Sequence, residues 1–344
     1  MKKNKILVFW LRVAAAFVTI GSIYIFAPWE FALQYLSPLP DTIQEELDDA
    51  AQENVAGIIF YVQQGDKAAE KYAAGLHNRA EKIPARPDAL FKIASIGKLY
   101  NASALTKLAA SGKLNLDKTL ADYLPEMAPR IDYADEITLR MMVQHRSGLP
   151  NYTDHPDFNW ASKDQEVTKL FLDLPGNFKP GTDYSYSNTN YLLMTRIMSN
   201  VLGHSHHAFI TSEILTPLGL KNTYFSVNEV NDNDLMSGYY VGYEEDFKHL
   251  DQGFVATAED VGIFLRALNE GTFFSAEETA LYASLYEYEH TGWVLGYYSI
   301  ARFDKETDTV MIQFINTNGD DTVFLGDILF SRLKKIFHRG AHDS

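Results

Sequence analysis

The sequence predicts an α+β protein: an antiparallel sheet built from both ends of the chain and flanked by helices, with a helical lobe inserted between the two sets of strands. Three observations carry this reading. Strand-like segments lie near both ends: 56–63 and 67–74 flank a hairpin turn, and 292–301 and 309–316 are rich in Val, Ile, Tyr and Phe. Helical patterns dominate from Ser95 to about Asn200. A closing amphipathic segment, 320–338, places Phe324, Leu325, Ile328, Leu329, Leu333 and Ile336 at helical spacing. Strands at both ends with helices between them suggest one sheet with an insertion.

Taken in order, the chain opens with Lys2, Lys3 and Lys5 before an apolar stretch, 6–27, broken only by Arg12. Basic residues ahead of an apolar stretch hold the N-terminus in the cytoplasm and send the downstream chain across the membrane. Two readings compete. If Arg12 closes the basic region, 13–27 has the length of a signal-peptide core. If Arg12 snorkels to the interface, 6–27 is long enough to span a bilayer. A cleavage site after Ala27 would have Ile25 upstream and Pro28 immediately behind it, a poor substrate, and Trp29 and Tyr35 fall where an aromatic belt would lie. The uncleaved anchor is favoured, and either reading puts the rest of the chain outside the cytoplasm. A proline-marked linker ends at Pro40. A helix over 41–51 is expected with Asp41 as cap, and Gln64-Gly65-Asp66 turns the first two strands into a hairpin. Thr257 caps a helix to Leu268, with Gly271 beyond its end, and Lys305-Glu306-Thr307 turns between the last two strands.

Composition excludes much else. With 46% hydrophobic and 22% charged residues, 344 residues can fold around a sizeable core. A net charge of −15 argues against a broad basic surface for nucleic acid. The absence of cysteine removes disulfides, thiolate zinc sites and a cysteine nucleophile.

Three short motifs carry chemistry. In Ser95-Ile96-Gly97-Lys98, a helix starting at Ser95 would put Lys98 one turn later on the same face. A serine is a weak nucleophile and needs such a neighbour to manage its proton. The same spacing in Ser331-Arg332-Leu333-Lys334 reads as a polar face of the closing helix. In Tyr184-Ser185-Tyr186-Ser187-Asn188, a Tyr and an Asn two apart in an extended stretch point the same way. One can relay a proton while the other orients an amide. In His290-Thr291-Gly292-Trp293, the glycine would let a substrate backbone approach an edge strand.

Ser95 and Tyr186 are 91 residues apart, and Tyr186 and His290 are 104 apart. In this order the motifs resemble the serine β-lactamase and DD-peptidase superfamily, and within it the class C β-lactamase-related branch of DD-carboxypeptidases, D-aminopeptidases and esterases. Val143-Gln144-His145-Arg146-Ser147-Gly148-Leu149-Pro150, Leu215-Thr216-Pro217-Leu218-Gly219-Leu220 and the helical segment 253–268 are similar to further segments of that family, with no role assigned to His145. The resemblance implies a β-lactamase/transpeptidase-like fold over 41–340, with the helical lobe at about 97–249, after an anchor or signal at 1–28 and a linker at 29–40. It implies an acyl-enzyme on Ser95, with Lys98 and Tyr186 moving its proton. Asn188, His290, Thr291 and Gly292 would bind substrate, and the backbone N–H groups of Ser95 and Trp293 would form the oxyanion hole. Whether Lys98 or Tyr186 is the base stays open. His290 stands where many β-lactamases have lysine, so its grip on a substrate carboxylate would weaken as pH rises.

The expected substrate is a small cell-wall-type peptide, ester or β-lactam, a DD-carboxypeptidase or esterase ahead of a dedicated β-lactamase. A non-catalytic ligand-binding protein of the same fold is the alternative. No cofactor is expected. No Gly-x-Ser-x-Gly elbow or phosphate loop is present. His204, His206 and His207 lack an acidic companion and read as the start of an exposed helix, not as a metal site. The protein is expected at the cell membrane as a single-pass enzyme facing outward, or secreted if cleaved, with no oligomeric state specified.

Overall fold

The computed structural model describes residues 2–26, 29–53, 55–162, 165–319 and 322–343. Six strands form the principal sheet: β1 (Gly57–Gln64), β2 (Glu70–Asn78), β3 (Ile83–Pro84), β4 (His290–Val294), β5 (Tyr297–Asp304) and β6 (Thr309–Ile315). Their spatial order is β3-β2-β1-β6-β5-β4, antiparallel throughout. Side chains alternate along a strand, so Ile58, Phe60 and Val62 of β1 enter one core while Ile59 and Tyr61 enter the other. A strand buried on both faces belongs in the middle of a sheet. There β1, from one end of the chain, meets β6, from the other.

The helices that matter here are α1 (Lys2–Phe26), α2 (Trp29–Leu36), α3 (Ile43–Glu53), α4 (Gly97–Ala110), α5 (Asn188–Leu202), α6 (Ala258–Glu270) and α7 (Thr322–Asp343). On one face of the sheet, Leu47 of α3 and Leu329 and Leu333 of α7 cover the side chains of Ile58 and Phe60. Opposite them, Val261 and Phe264 of α6 pack with Ile59 and Ile312, and Tyr100 of α4 stacks on Phe264 at 3.7 Å. The chain between β3 and β4 supplies the helical lobe containing α4 and α5, so the α+β architecture stands as the sequence predicts.

Several boundaries differ, each for a local reason. The helix over 41–51 starts at Ile43, because Thr42 rather than Asp41 caps it: Thr42 Oγ1 accepts from the Glu45 N–H, and the Glu45 carboxylate accepts from the N–H groups of Thr42 and Asp41. The second strand starts at Glu70 and runs on to Asn78. The segment 292–301 is two strands, because Gly296, at φ +83°, turns the chain between Val294 and Tyr297. Asn318 holds this turn by accepting from the Gly296 N–H at 2.8 Å and donating to the carbonyls of Val294 and Tyr297. The Thr257 cap holds as expected, accepting from the Asp260 N–H. Asp320 lies outside the described residues, as do Ala27 and Pro28 at the weak cleavage position.

Within α1, Val8–Phe26 has a mean hydropathy of 1.8 and none of it is buried, long and apolar enough to cross a membrane. The segment after it is no plain linker, since α2 occupies 29–36.

The supposed polar face around Ser331-Arg332-Leu333-Lys334 contains instead a buried ion pair. Arg332 grips Glu46 of α3 with two donors of its guanidinium, Nε at 2.5 Å and Nη2 at 2.8 Å, and both side chains are buried. The remaining donors of Arg332 go to the carbonyls of Gln34, Ser37 and Pro38. One side chain thus joins α7, α3 and the end of α2. Removing one partner of a buried pair strands the other charge, at a cost of about 3–5 kcal/mol. Arg332→Ala should lower stability by that order in urea titration; a loss below about 1 kcal/mol, the scale of an exposed pair, would contradict it.

Candidate active site

Phe91 and Lys92 pair antiparallel with Ala256 and Val255 and deliver the chain to a tight turn, Ala94–Ile96. The Ile93 N–H donates to the Phe254 carbonyl, and the Ile96 N–H to the Ile93 carbonyl. Ala94 sits at φ +50°, a left-handed conformation that costs a non-glycine residue about 1–3 kcal/mol. Directly after this strained residue, Ser95 stands in the turn that leads into α4, which begins at Gly97 rather than at Ser95, and the positive end of that helix favours a developing negative charge.

Two groups meet at Ser95 Oγ. Lys98 Nζ donates to it at 3.0 Å and the Tyr186 hydroxyl at 2.8 Å. Lys98 also donates to Asn188 Oδ1 at 2.8 Å, and Asn188 Nδ2 donates to Thr153 Oγ1 at 3.2 Å. Asn188 is therefore engaged at both ends by the protein. It is also the first residue of α5 rather than part of an extended stretch, its N–H held by Asn151 Oδ1 at 2.9 Å. Lys98 is buried against the rings of Tyr186 and Tyr191, and desolvation lowers its pKa to about 7. Burial pushes the Tyr186 phenol the other way, up to about 12, with its bond to Ser95 opposing the rise.

The third motif lies on β4, the edge strand, whose outer row of backbone groups has no strand partner among the described residues. Gly292 is needed here, but not to admit substrate. A Cβ on it would overlap the Ile93 carbonyl and the Ser299 hydroxyl, so the space is taken by the nucleophile's own turn. The expected carboxylate grip of His290 also needs correction. Its Nδ1 bonds to the Thr291 carbonyl and its Nε2 is 3.0 Å from the Tyr286 hydroxyl, which occupies both nitrogens. Burial lowers its pKa to about 4, so the ring is neutral at pH 7 and is no cation for a substrate.

A cavity of about 560 Å³ opens beside Ser95. Of the expected residues, Ser95, Lys98, Asn188 and Trp293 line it, while Tyr186, His290, Thr291 and Gly292 do not. Aromatic walls come from Tyr152, Phe158, Trp160, Phe225 and Phe254. His206 and His207, expected on an exposed helix, are part of this lining. His206 Nδ1 is 3.0 Å from Ser199 Oγ, and His207 stacks on Phe225 at 4.2 Å. Among the described residues, the lining holds one acid, Asp251, no arginine, and one lysine, Lys98.

Sequence reasoning missed His145. Its carbonyl accepts from the Ser185 N–H at 2.9 Å, its Nδ1 accepts from the Ser187 N–H at 3.1 Å, and its ring stacks on Tyr186 at 4.4 Å. These contacts bracket Tyr186 from both sides of its own backbone. The residue itself is buried and sits at φ +56°. Its position just ahead of Ser147-Gly148 is the one signal the sequence held.

A family model described as Beta-lactamase matches residues 41–333. The chain belongs to the Beta-lactamase family. That is a family of serine hydrolases. Protein flp of Staphylococcus aureus (strain MW2) is 28% identical over 202 residues, 58% of this chain and 40% of that protein. Penicillin-binding protein 4* of Bacillus subtilis (strain 168) is 29% identical over 188 residues, 53% of this chain and 40% of that protein. The chain thus matches about two fifths of the length of these relatives. Among solved structures, the D-amino acid amidase of Ochrobactrum anthropi SV3 superposes with a TM-score of 0.75 at 22% identity, covering 87% of this chain and 98% of that one. A penicillin binding protein from Bacillus halodurans gives 0.72 at 20% identity, covering 87% and 100%. At these identities the structural likeness establishes the fold.

The bracket around Tyr186 has a measurable consequence. His145→Ala should lower kcat by about 10–100-fold, the scale of a misplaced proton-transfer group, with KM little changed. His145→Asn, which tolerates a left-handed backbone and keeps an acceptor, should recover part of the loss. Equal rates for wild type and His145→Ala would contradict the assignment.

Proposed function

We propose that this protein is a membrane-anchored serine hydrolase that forms an acyl-enzyme on Ser95, with D-amino-acyl amides, peptides or esters as its substrates. The observation that carries the reading is the placement of Ser95 Oγ between a desolvated lysine and a neutral phenol. With a pKa of about 7, a large share of Lys98 is neutral at physiological pH and has a lone pair to offer. Tyr186, at about 12, keeps its proton. Lys98 is accordingly the resting base and Tyr186 the donor.

As Oγ bonds to the substrate carbonyl carbon, the Ser95 proton passes to Lys98. The oxygen becomes an oxyanion between the N–H groups of Ser95 and Trp293. The carbon–nitrogen or carbon–oxygen bond then breaks, and the leaving group takes the Tyr186 proton. Lys98, now an ammonium, returns a proton to the phenolate, a downhill transfer given the two pKa values. Water repeats the sequence on the acyl-enzyme and releases Ser95. Asn188 keeps Lys98 in place throughout. The mechanism requires no cofactor.

Two features favour neutral carbonyl substrates over peptides with a free carboxylate. His290 is neutral with both nitrogens engaged, and Lys98 is committed to Ser95 and Asn188. The aromatic cavity suits an apolar acyl or side-chain group, and the likeness to a D-amino acid amidase supports the same class. Residues 41–340 would form the catalytic unit, held outside the cytoplasm by a span within residues 6–27. The hydropathy of Val8–Phe26 supports that placement.

Intact-protein mass spectrometry with a D-amino-acyl ester should show an acyl adduct on wild type and none on Ser95→Ala. The rate of acylation should rise with pH along a limb with its midpoint near 7, because Lys98 must lose its proton to act. Lys98→Met should abolish acylation. Acylation that persists in Lys98→Met, or a limb near pH 10, would overturn the division of roles between Lys98 and Tyr186.

A further inference from the structure

We infer that the catalytic unit is seated on the lipid surface through α2 and the start of α7, rather than hanging from the span on a loose tether; this rests on the proposed membrane anchoring. Helix α2, Trp29–Leu36, has the sequence Trp-Glu-Phe-Ala-Leu-Gln-Tyr-Leu and is apolar on both sides. Glu30 and Gln34, one turn apart, separate the two apolar stripes 31/35 and 29/33/36. The first of these meets α7. Phe31 packs edge-on against Phe324 of α7 at 4.9 Å, and Lys335 of α7 lies 4.3 Å from the centre of the Tyr35 ring.

The other side faces outward. Trp29, Leu33 and Leu36, at helical spacing on one stripe, are 46%, 66% and 76% exposed, and Phe324 of α7, against Phe31, is 52% exposed. Nothing in the catalytic unit covers this patch among the described residues. Its neighbour is fixed by connectivity. The apolar stretch of α1 ends at Phe26, and Trp29 comes three residues later. Three residues of extended chain span about 10 Å, so α2 cannot leave the interface of a bilayer that α1 crosses. Tryptophan, tyrosine and lysine beside leucine are the side chains that settle at that depth.

The seat is also rigidly joined to the enzyme. Arg332 leaves little freedom in this corner: its guanidinium binds the carbonyls of Gln34, Ser37 and Pro38 at the end of α2 while it grips Glu46. A cation there also opposes the negative end of the α2 dipole. Helices α2, α3 and α7 and the sheet therefore move together. The sheet stands between α3 and α7 on this side and α6 on the far face.

The chain contains no cysteine, so single labels can be introduced cleanly. The test uses the full chain in vesicles of phosphatidylcholine and phosphatidylglycerol brominated on their acyl chains. An environment-sensitive fluorophore is placed by Phe17→Cys, Leu33→Cys, Phe324→Cys or Asp66→Cys, one at a time. Acylation of Ser95 in each variant reports that it is folded. The inference expects blue-shifted, lipid-quenched emission at positions 17, 33 and 324 and water-like emission at 66. Quenching at 17 with water-like emission at 324 means a loosely tethered enzyme and overturns the seat while leaving the anchor intact. Water-like emission at 17 overturns the membrane reading itself, and the seat with it. Quenching at 324 and 66 alike means non-specific adsorption and also overturns the seat.

Discussion

The proposed chemistry of this protein depends on the burial of one lysine amine. Lys98 sits among tyrosine rings, and desolvation brings its pKa from 10.5 to about 7. A shift of that size represents roughly 5 kcal/mol of preference for the neutral form. It also costs stability. A lysine whose folded pKa lies below its unfolded value weakens the fold throughout the range below pH 10.5, and most fully below pH 7, because the unfolded chain binds the extra proton. The fold carries this cost together with the left-handed strain at Ala94. Both penalties fall on the turn that presents Ser95, where a strained and desolvated group is useful.

The rest of the molecule holds that turn in place. Strands from the two ends of the chain pair as β1 and β6, and this pairing carries β5 and β4 outward to the edge. Gly292 lets the edge strand approach the Ile93 carbonyl, and Ser299 of β5 donates to the same carbonyl at 3.1 Å. On the other side, Asn151 and Thr153 fix Asn188, which fixes Lys98, while His145 fixes Tyr186. Each reacting side chain is thus held by a residue that does not itself meet Ser95, which is how a site keeps geometry it must have before substrate arrives.

Much of this was legible in the sequence. A hairpin turn at Gln64-Gly65-Asp66 marked one half of the sheet and runs rich in β-branched and aromatic residues marked the other, and the motifs at Ser95, Tyr186 and His290 marked three segments that the fold brings together. Several features were not legible, and the reasons are physical. The run around Gly296 reads as one strand because the turn depends on Asn318, 22 residues away. Arg332 reads as surface because its acid partner, Glu46, is 286 residues distant. His290 reads as a titrating cation because its burial and its Tyr286 neighbour belong to tertiary structure. The work of Gly292 was assigned to substrate because the turn that fills its space lies about two hundred residues earlier. His145 is similar: its bond to Ser187 crosses 42 residues, and its place just ahead of Ser147-Gly148 does not disclose that partner. Periodicity records which face is apolar; it does not record which distant group will occupy a given space.

The most direct test of the account is the ionisation of Lys98 itself. Lysine labelled with carbon-13 at the ε position can be titrated by NMR in the folded chain, with Lys98→Met used to assign the resonance. The account predicts a midpoint near 7 for the resonance that this substitution removes. A midpoint near 10.5 would mean that Lys98 is an ammonium throughout the working range, and the base would have to be sought elsewhere.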